Sequence, residues 1–141
     1  MDDSEIPELL RAARTIAVVG MKDDTELHEA AHAVPRRLQQ LGYDVRPVNP
    51  TITSALGRDS VPDLAALDVV PDIVNVFRRV DALPGVADDV LAMAPDRRPR
   101  AVWFQTGLAD ADAARRLREA GIMVVEDRCI GVFAGRVGGP A

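Results

Sequence analysis

Short apolar runs alternate with longer helical patterns along the chain, and this alternation limits the folds open to it. The runs are Thr15–Gly20 (TIAVVG), Tyr43–Asn49 (YDVRPVN), Asp72–Phe77 (DIVNVF), Ala101–Gln105 (AVWFQ) and Ile122–Glu126 (IMVVE). They are largely continuous rather than alternating apolar and polar, the pattern of strands buried on both faces, as in parallel sheets. A sixth, weaker candidate lies around Gly57–Val61.

Helical stretches lie between the runs. Val34, Leu38 and Leu41 keep helical spacing, with Gly42 where a C-terminal cap belongs. Val86, Val90 and Met93 repeat the pattern, as do Ala113, Leu117 and Ala120 ahead of Gly121. Asp110 or Asp112 is placed to cap the last of these, and a leading helix is expected over Glu5–Ala13. Pro35 is costly deep inside a helix, so its helix is expected to start just before it or to kink there. The order predicts an α/β, Rossmann-like, doubly wound fold with a mostly parallel sheet of five to six strands and helices on both faces. The expected strand order is 3-2-1-4-5, extended by one if the weak segment counts.

With 141 residues, 48% of them apolar, the chain is expected to form one domain over 1–141, leaving 135–141 as a loose tail. It carries 17 basic and 22 acidic residues, a net charge of −5, which argues against a nucleic-acid partner bound through a broad basic face. The acidic start MDDSEIPE is unlike a signal peptide, and no apolar run is long enough to span a membrane. A single cysteine forms no internal disulfide. A soluble, cytoplasmic protein is expected.

In folds of this class ligands bind beyond the carboxyl ends of the strands, where strand order reverses. That rule selects Gly20, Met21 and Lys22 after the first strand, Asn49 and Pro50 after the second, and Arg78 and Arg79 after the third. Thr106 and Gly107 follow the fourth, and Asp127, Arg128 and Cys129 the fifth. A glycine, a lysine and arginines near helix N-termini suit an anion, most naturally phosphate. Arg97, Arg98 and Arg100 form a denser basic cluster, but they precede their strand and belong to the opposite edge.

The runs TIAVVGMKDD, GYDVRPVNP with LGRDSVPDL, DIVNVFRR, AVWFQTG and EAGIMVVEDRC stand in an order that resembles stand-alone CoA-binding proteins. These in turn resemble the CoA-binding Rossmann-like domain of the succinyl-CoA synthetase alpha subunit. The resemblance runs from about Ile6 to Cys129 and implies that coenzyme A, or an acyl-CoA or CoA disulfide, is the ligand. It implies that Gly20, Met21 and Lys22 approach the phosphates and that Val48, Asn49 and Pro50 flank the adenosine end. Phe77, Arg78 and Arg79 then meet the phosphate or pantetheine region. Where the family often has a polar Ser or Tyr at the start of the following helix, this chain has Ala31 and His32, with Pro35 replacing a helix former. The ligases of this resemblance need further domains for catalysis, so the chain is expected to bind without catalysing.

Other motifs compete. An NAD(P)-type dinucleotide site calls for G-x-G-x-x-G and an acidic residue ending the second strand; here the turn is GMKDDT and the strand ends in Asn49–Pro50. The turn is not a P-loop either. His28-Glu29-Ala30-Ala31-His32 matches H-E-x-x-H formally, the signature of a small zinc hydrolase, but Pro35 follows it and no third histidine exists. The expectation is no metal. Cys129 reads as a buried inert thiol or as a partly exposed one near Arg128, within reach of a pantetheine thiol. Trp103 and Phe104 read as core.

Overall fold

The computed structural model describes residues 3–141. Helix α1 (Ile6–Ala12) leads into β1 (Thr15–Val19), followed by α2 (Ala30–Gln40), β2 (Asp44–Val48) and a hairpin of β3 (Ser54–Ala55) and β4 (Arg58–Asp59). The chain continues through β5 (Ile73–Val76), α3 (Leu83–Ala92), β6 (Ala101–Phe104), α4 (Ala111–Glu119), β7 (Met123–Val125) and α5 (Ile130–Val137). Strands β2-β1-β5-β6-β7 form one parallel sheet, and the hairpin is separate and antiparallel. This is the doubly wound, Rossmann-like arrangement.

The strand order corrects the expectation. Counted over the five main strands it is 2-1-3-4-5 rather than 3-2-1-4-5, because β5 joins β1 on the side away from β2. The weak segment at 57–61 takes the outer position beside β2, contributing only a parallel bridge from Val61 to Val48. Arg58, Asp59 and Ser60 offer no apolar face to bury there, so a hairpin forms instead of a sixth strand.

Alternate strand residues feed two cores. Ala17, Val19, Val74, Val76, Val102 and Phe104 meet α3 and α4 on one face. Ile16, Val18, Ile73 and Trp103 meet α1, α2 and α5 on the other. Burial on both faces explains the unbroken apolar runs. Trp103 is fully buried, and its indole nitrogen donates to the Arg128 carbonyl at 2.8 Å. Truncating it to alanine costs about 3–5 kcal/mol by the usual scale for large aromatic residues.

Helix α2 starts at Ala30, a turn earlier than expected, with Pro35 inside it. The carbonyl that Pro35 leaves without its helical donor is that of Ala31. It accepts instead from the backbone N–H of Lys22, at 3.0 Å. Asp110 caps α4 by accepting from the Ala113 amide at 2.8 Å, which decides between the two aspartates proposed from sequence.

Residues 135–141 are not a loose tail. Helix α5 runs to Val137 and ends on Gly138 in the left-handed conformation at φ 78°. The Gly139 amide donates to Ala134 O at 3.1 Å and the Ala141 amide to Arg11 O at 2.9 Å, docking the C-terminus on α1.

Candidate ligand cleft

A cleft of about 690 Å³ opens over the carboxyl ends of the strands. It lies where β1 stands between β2 and β5, the point at which the chain order reverses. Its floor depends on Gly20, which has φ 82° and whose amide donates to Val48 O at 2.9 Å. A Cβ at Gly20 would lie 2.0 Å from the Phe77 carbonyl oxygen and 3.1 Å from Cδ of Arg78. The absent side chain is therefore what lets the loop after β5 close over the loop after β1.

Lys22 follows on the exposed wall, its backbone held by Ala31. Lys22 and Arg78 both line the cleft, and neither side chain has a hydrogen-bond or ion-pair partner among the described residues. Arg79 also lines it but pairs with Asp81 at 3.5 Å, in an exposed contact of little energetic weight. Phe77, half-buried, supplies an apolar wall beside them.

Asn49 lines the cleft in a role that sequence did not anticipate. Its side-chain amide donates to Met21 O at 2.9 Å, while its oxygen accepts from the Thr51 amide at 2.9 Å and the Thr51 hydroxyl at 2.8 Å. Asn49 therefore ties the first loop to the turn after β2, and exposed Pro50 and Thr51 form the rim. Met21 and Val48 do not line the cleft. Both are buried, at 0% and 3% exposure, because the residues flanking Gly20 and Asn49 point into the core.

Across the cleft stand Thr106 and Cys129, with Gln105 and Leu108 between the same strand ends. Gly107 lies off the cleft; its amide donates to Asp127 Oδ1 at 2.6 Å, pinning the loop after β6 to the loop after β7. Gln105, 5% exposed, accepts at Oε1 from Ile130 N at 2.9 Å and from Asn75 Nδ2 at 3.1 Å. The backbone donor fixes which end of the amide is oxygen. The –NH₂ end has no hydrogen-bond partner among the described residues, and the residue lines the cleft. Ala30, Val34, Thr51, Gln105 and Leu108 were missed from sequence. Only Gln105 and Thr51 carried a signal, as a polar residue ending an apolar strand and as the position after an Asn-Pro turn.

The H-E-x-x-H residues do not converge. His28 is exposed, whereas His32 is 1% exposed and pairs through Nε2 with Asp24 Oδ1 at 2.8 Å. The same Asp24 oxygen accepts from the Leu56 amide at 3.2 Å. The hydrogen bond from His32, then that from Leu56, holds the Asp24 carboxyl below its ordinary pKa. Among the described residues no group of three His, Cys, Asp or Glu is arranged to hold a metal. Among the described residues no helix is long and apolar enough to cross a membrane.

At the opposite edge Arg97 donates to Leu67 O at 3.2 Å, and Arg98 to Met93 O and Leu91 O at 3.1 and 2.8 Å. Arg128, read from sequence as a neighbour for the Cys129 thiol, pairs with Asp3 at 2.7 Å and donates to the Glu126 carbonyl.

The fold and sequence have clear relatives. The protein YneT of Bacillus subtilis (strain 168) is 43% identical over 130 residues, 92% of this chain and 91% of that one. A solved Thermus thermophilus structure, cell-free ID.343, superposes with a TM-score of 0.87 at 39% identity, over 97% of this chain and 99% of that one. A dinucleotide-forming acetyl-coenzyme A synthetase from Ca. Korarchaeum cryptofilum shares the fold, with a TM-score of 0.64 at 20% identity over 87% of this chain and 26% of that one. Residues 14–134 match the family model described as a CoA binding domain, and the chain belongs to that family.

Proposed function

We propose that the cleft binds coenzyme A, with the phosphates against Lys22 and Arg78 and the adenosine toward the Asn49–Thr51 turn. The pantetheine arm then runs past Phe77 toward Gln105, Leu108 and Cys129. The observation that carries this reading is the division of one cleft into two chemistries. Two cations without a partner among the described residues stand near the point of strand reversal, and an apolar wall with one amide lies beyond them. Coenzyme A divides the same way, into phosphates and a long uncharged arm. Guanidinium and ammonium donors suit the first part, and apolar contact with sparse hydrogen bonding suits the second.

The membership in a CoA-binding family supports the choice of ligand. The ligand class is CoA or an acyl-CoA, and the role is that of a binding protein in the cytoplasm. A dinucleotide is the competing ligand. Against it stands Asn49, whose side chain is committed to Met21 and Thr51 where a dinucleotide site keeps an acidic group for the ribose. Calorimetry with CoA, dephospho-CoA, NAD and ATP tests the reading. CoA is expected to bind tighter than NAD; tighter binding of NAD would overturn it.

A further inference from the structure

We propose that the groove between α2 and α5 takes the acyl group of an acyl-CoA, and that the acyl chain it fits ends in a carboxylate. The inference rests on the CoA reading above and names the class of thioester that the same site takes.

A groove of about 500 Å³ lies between the two helices and meets the cleft at Val34 and Cys129. On the CoA reading the pantetheine sulfur arrives at that junction, so an acyl group on the sulfur has the groove in front of it. Both helices begin at the cleft: Ala30 opens α2 and lines it, and Cys129 lines it immediately before α5. A later position in either helix therefore lies deeper along the groove.

The two walls repeat one pattern. Ala33 and Val132 stand in the first turn of their helices, and Arg37 and Arg136 follow one turn later on the same faces. Gly131 and Gly135 leave the space between the walls open. The entrance is thus apolar and the far end cationic. Helical rise puts the arginines roughly 5–10 Å beyond the junction, a span that a straight acyl chain of about five to eight carbons covers.

The protein positions both guanidinium groups yet supplies no acceptor for them. Arg37 crosses the gap at Gly135, where a Cβ would stand 3.1 Å from its Nη2 and 3.9 Å from its Cζ. Arg136 stacks on Phe133, its Cζ 4.8 Å from the ring centroid. Stacking occupies the face of a guanidinium and leaves its in-plane donors open. Neither side chain has a hydrogen-bond or ion-pair partner among the described residues, and neither helix contains an Asp or Glu. A chain of methylenes suits the entrance, and a terminal carboxylate suits paired guanidinium donors at the end.

The test is calorimetry of the full chain with free CoA, malonyl-CoA, hexanoyl-CoA and adipoyl-CoA. Adipoyl-CoA is expected to bind roughly tenfold tighter than hexanoyl-CoA, its match in length, through charge-assisted bonds to the two arginines. Malonyl-CoA, too short to reach them, is expected to gain nothing over free CoA. In the double variant R37Q/R136Q the preference for adipoyl-CoA is expected to vanish while free CoA binds as before. A33W, which fills the entrance, is expected to weaken both longer thioesters and spare free CoA. A chain that binds CoA but takes adipoyl-CoA and hexanoyl-CoA equally, or keeps its preference in R37Q/R136Q, overturns the acyl site and leaves the CoA reading standing. A chain that binds none of the four overturns both.

Discussion

The two edges of the sheet treat their basic side chains differently. At the amino-terminal edge Arg97 and Arg98 donate to the backbone carbonyls of Leu67, Met93 and Leu91, tying the end of α3 to the start of β6. At the carboxyl edge Lys22 and Arg78 have no side-chain hydrogen-bond or ion-pair partner among the described residues. The denser basic cluster is therefore structural, and the sparser one is available to a ligand. Charge density along the sequence is the wrong guide here; what matters is whether the fold has already supplied an acceptor.

That contrast makes the largest prediction. Replacing Arg78 and Arg79 together with alanine is expected to weaken CoA binding by about 2–5 kcal/mol, with Arg78 carrying most of it. Replacing Arg97 and Arg98 is expected to leave affinity nearly unchanged and to lower stability by about 1–3 kcal/mol, the range for lost side-chain bonds to carbonyls. Calorimetry and urea denaturation on both double variants would break the comparison if the two pairs lost affinity equally.

The next effect concerns the floor between the edges. Gly20→Ala is expected to destabilise the fold by roughly 2 kcal/mol or more, because it combines a positive φ with a Cβ driven into the Phe77 carbonyl. Denaturant titration checks it. Gly107→Ala, also at positive φ but with open space around its Cβ, is expected to cost less.

The smallest effect is in the clasp that joins the first loop to the hairpin. Asp24 has a lowered pKa in the folded protein, so its contribution is present above the ordinary aspartate range and is lost as pH falls through the lowered value. Its side chain is 61% exposed, and solvent screening keeps the contribution under about 1 kcal/mol. Asp24→Asn is expected to be less stable than wild type at neutral pH and to converge with it in acid. A gap that widened on acidification would sharpen the comparison against this assignment.

The strands were legible because burial on both faces leaves unbroken apolar runs such as AVWF. Their lateral order was not, since nothing local in DIVNV says on which side of β1 it pairs. Helix α5 was not anticipated, and its last residues fell in the segment 135–141 that reads as a loose tail. Val34 lies 3.4 Å from a Cβ at Gly131, and Arg37 lies 3.1 Å from one at Gly135, so the glycines let α2 approach. In the cleft, Gly20, Lys22, Asn49, Pro50, Arg78, Arg79, Thr106 and Cys129 were read from their places after strands, and Phe77 from the family resemblance. Ala30, Val34 and Leu108 were not, because their contribution is shape, which a lone sequence does not advertise.

Pro35 acts at a distance from its own position. By leaving Ala31 O without a helical donor, it hands that acceptor to Lys22, so the loop after β1 is anchored to the first turn of α2 by a main-chain bond. Loop and helix are then mechanically one piece: any displacement of α2 along its axis is delivered to the backbone that carries the lysine. Disorder at Lys22 would require either breaking that bond or fraying the helix start. In exchange with heavy water, the Lys22 amide should accordingly keep the protection of the helix rather than that of an exposed loop.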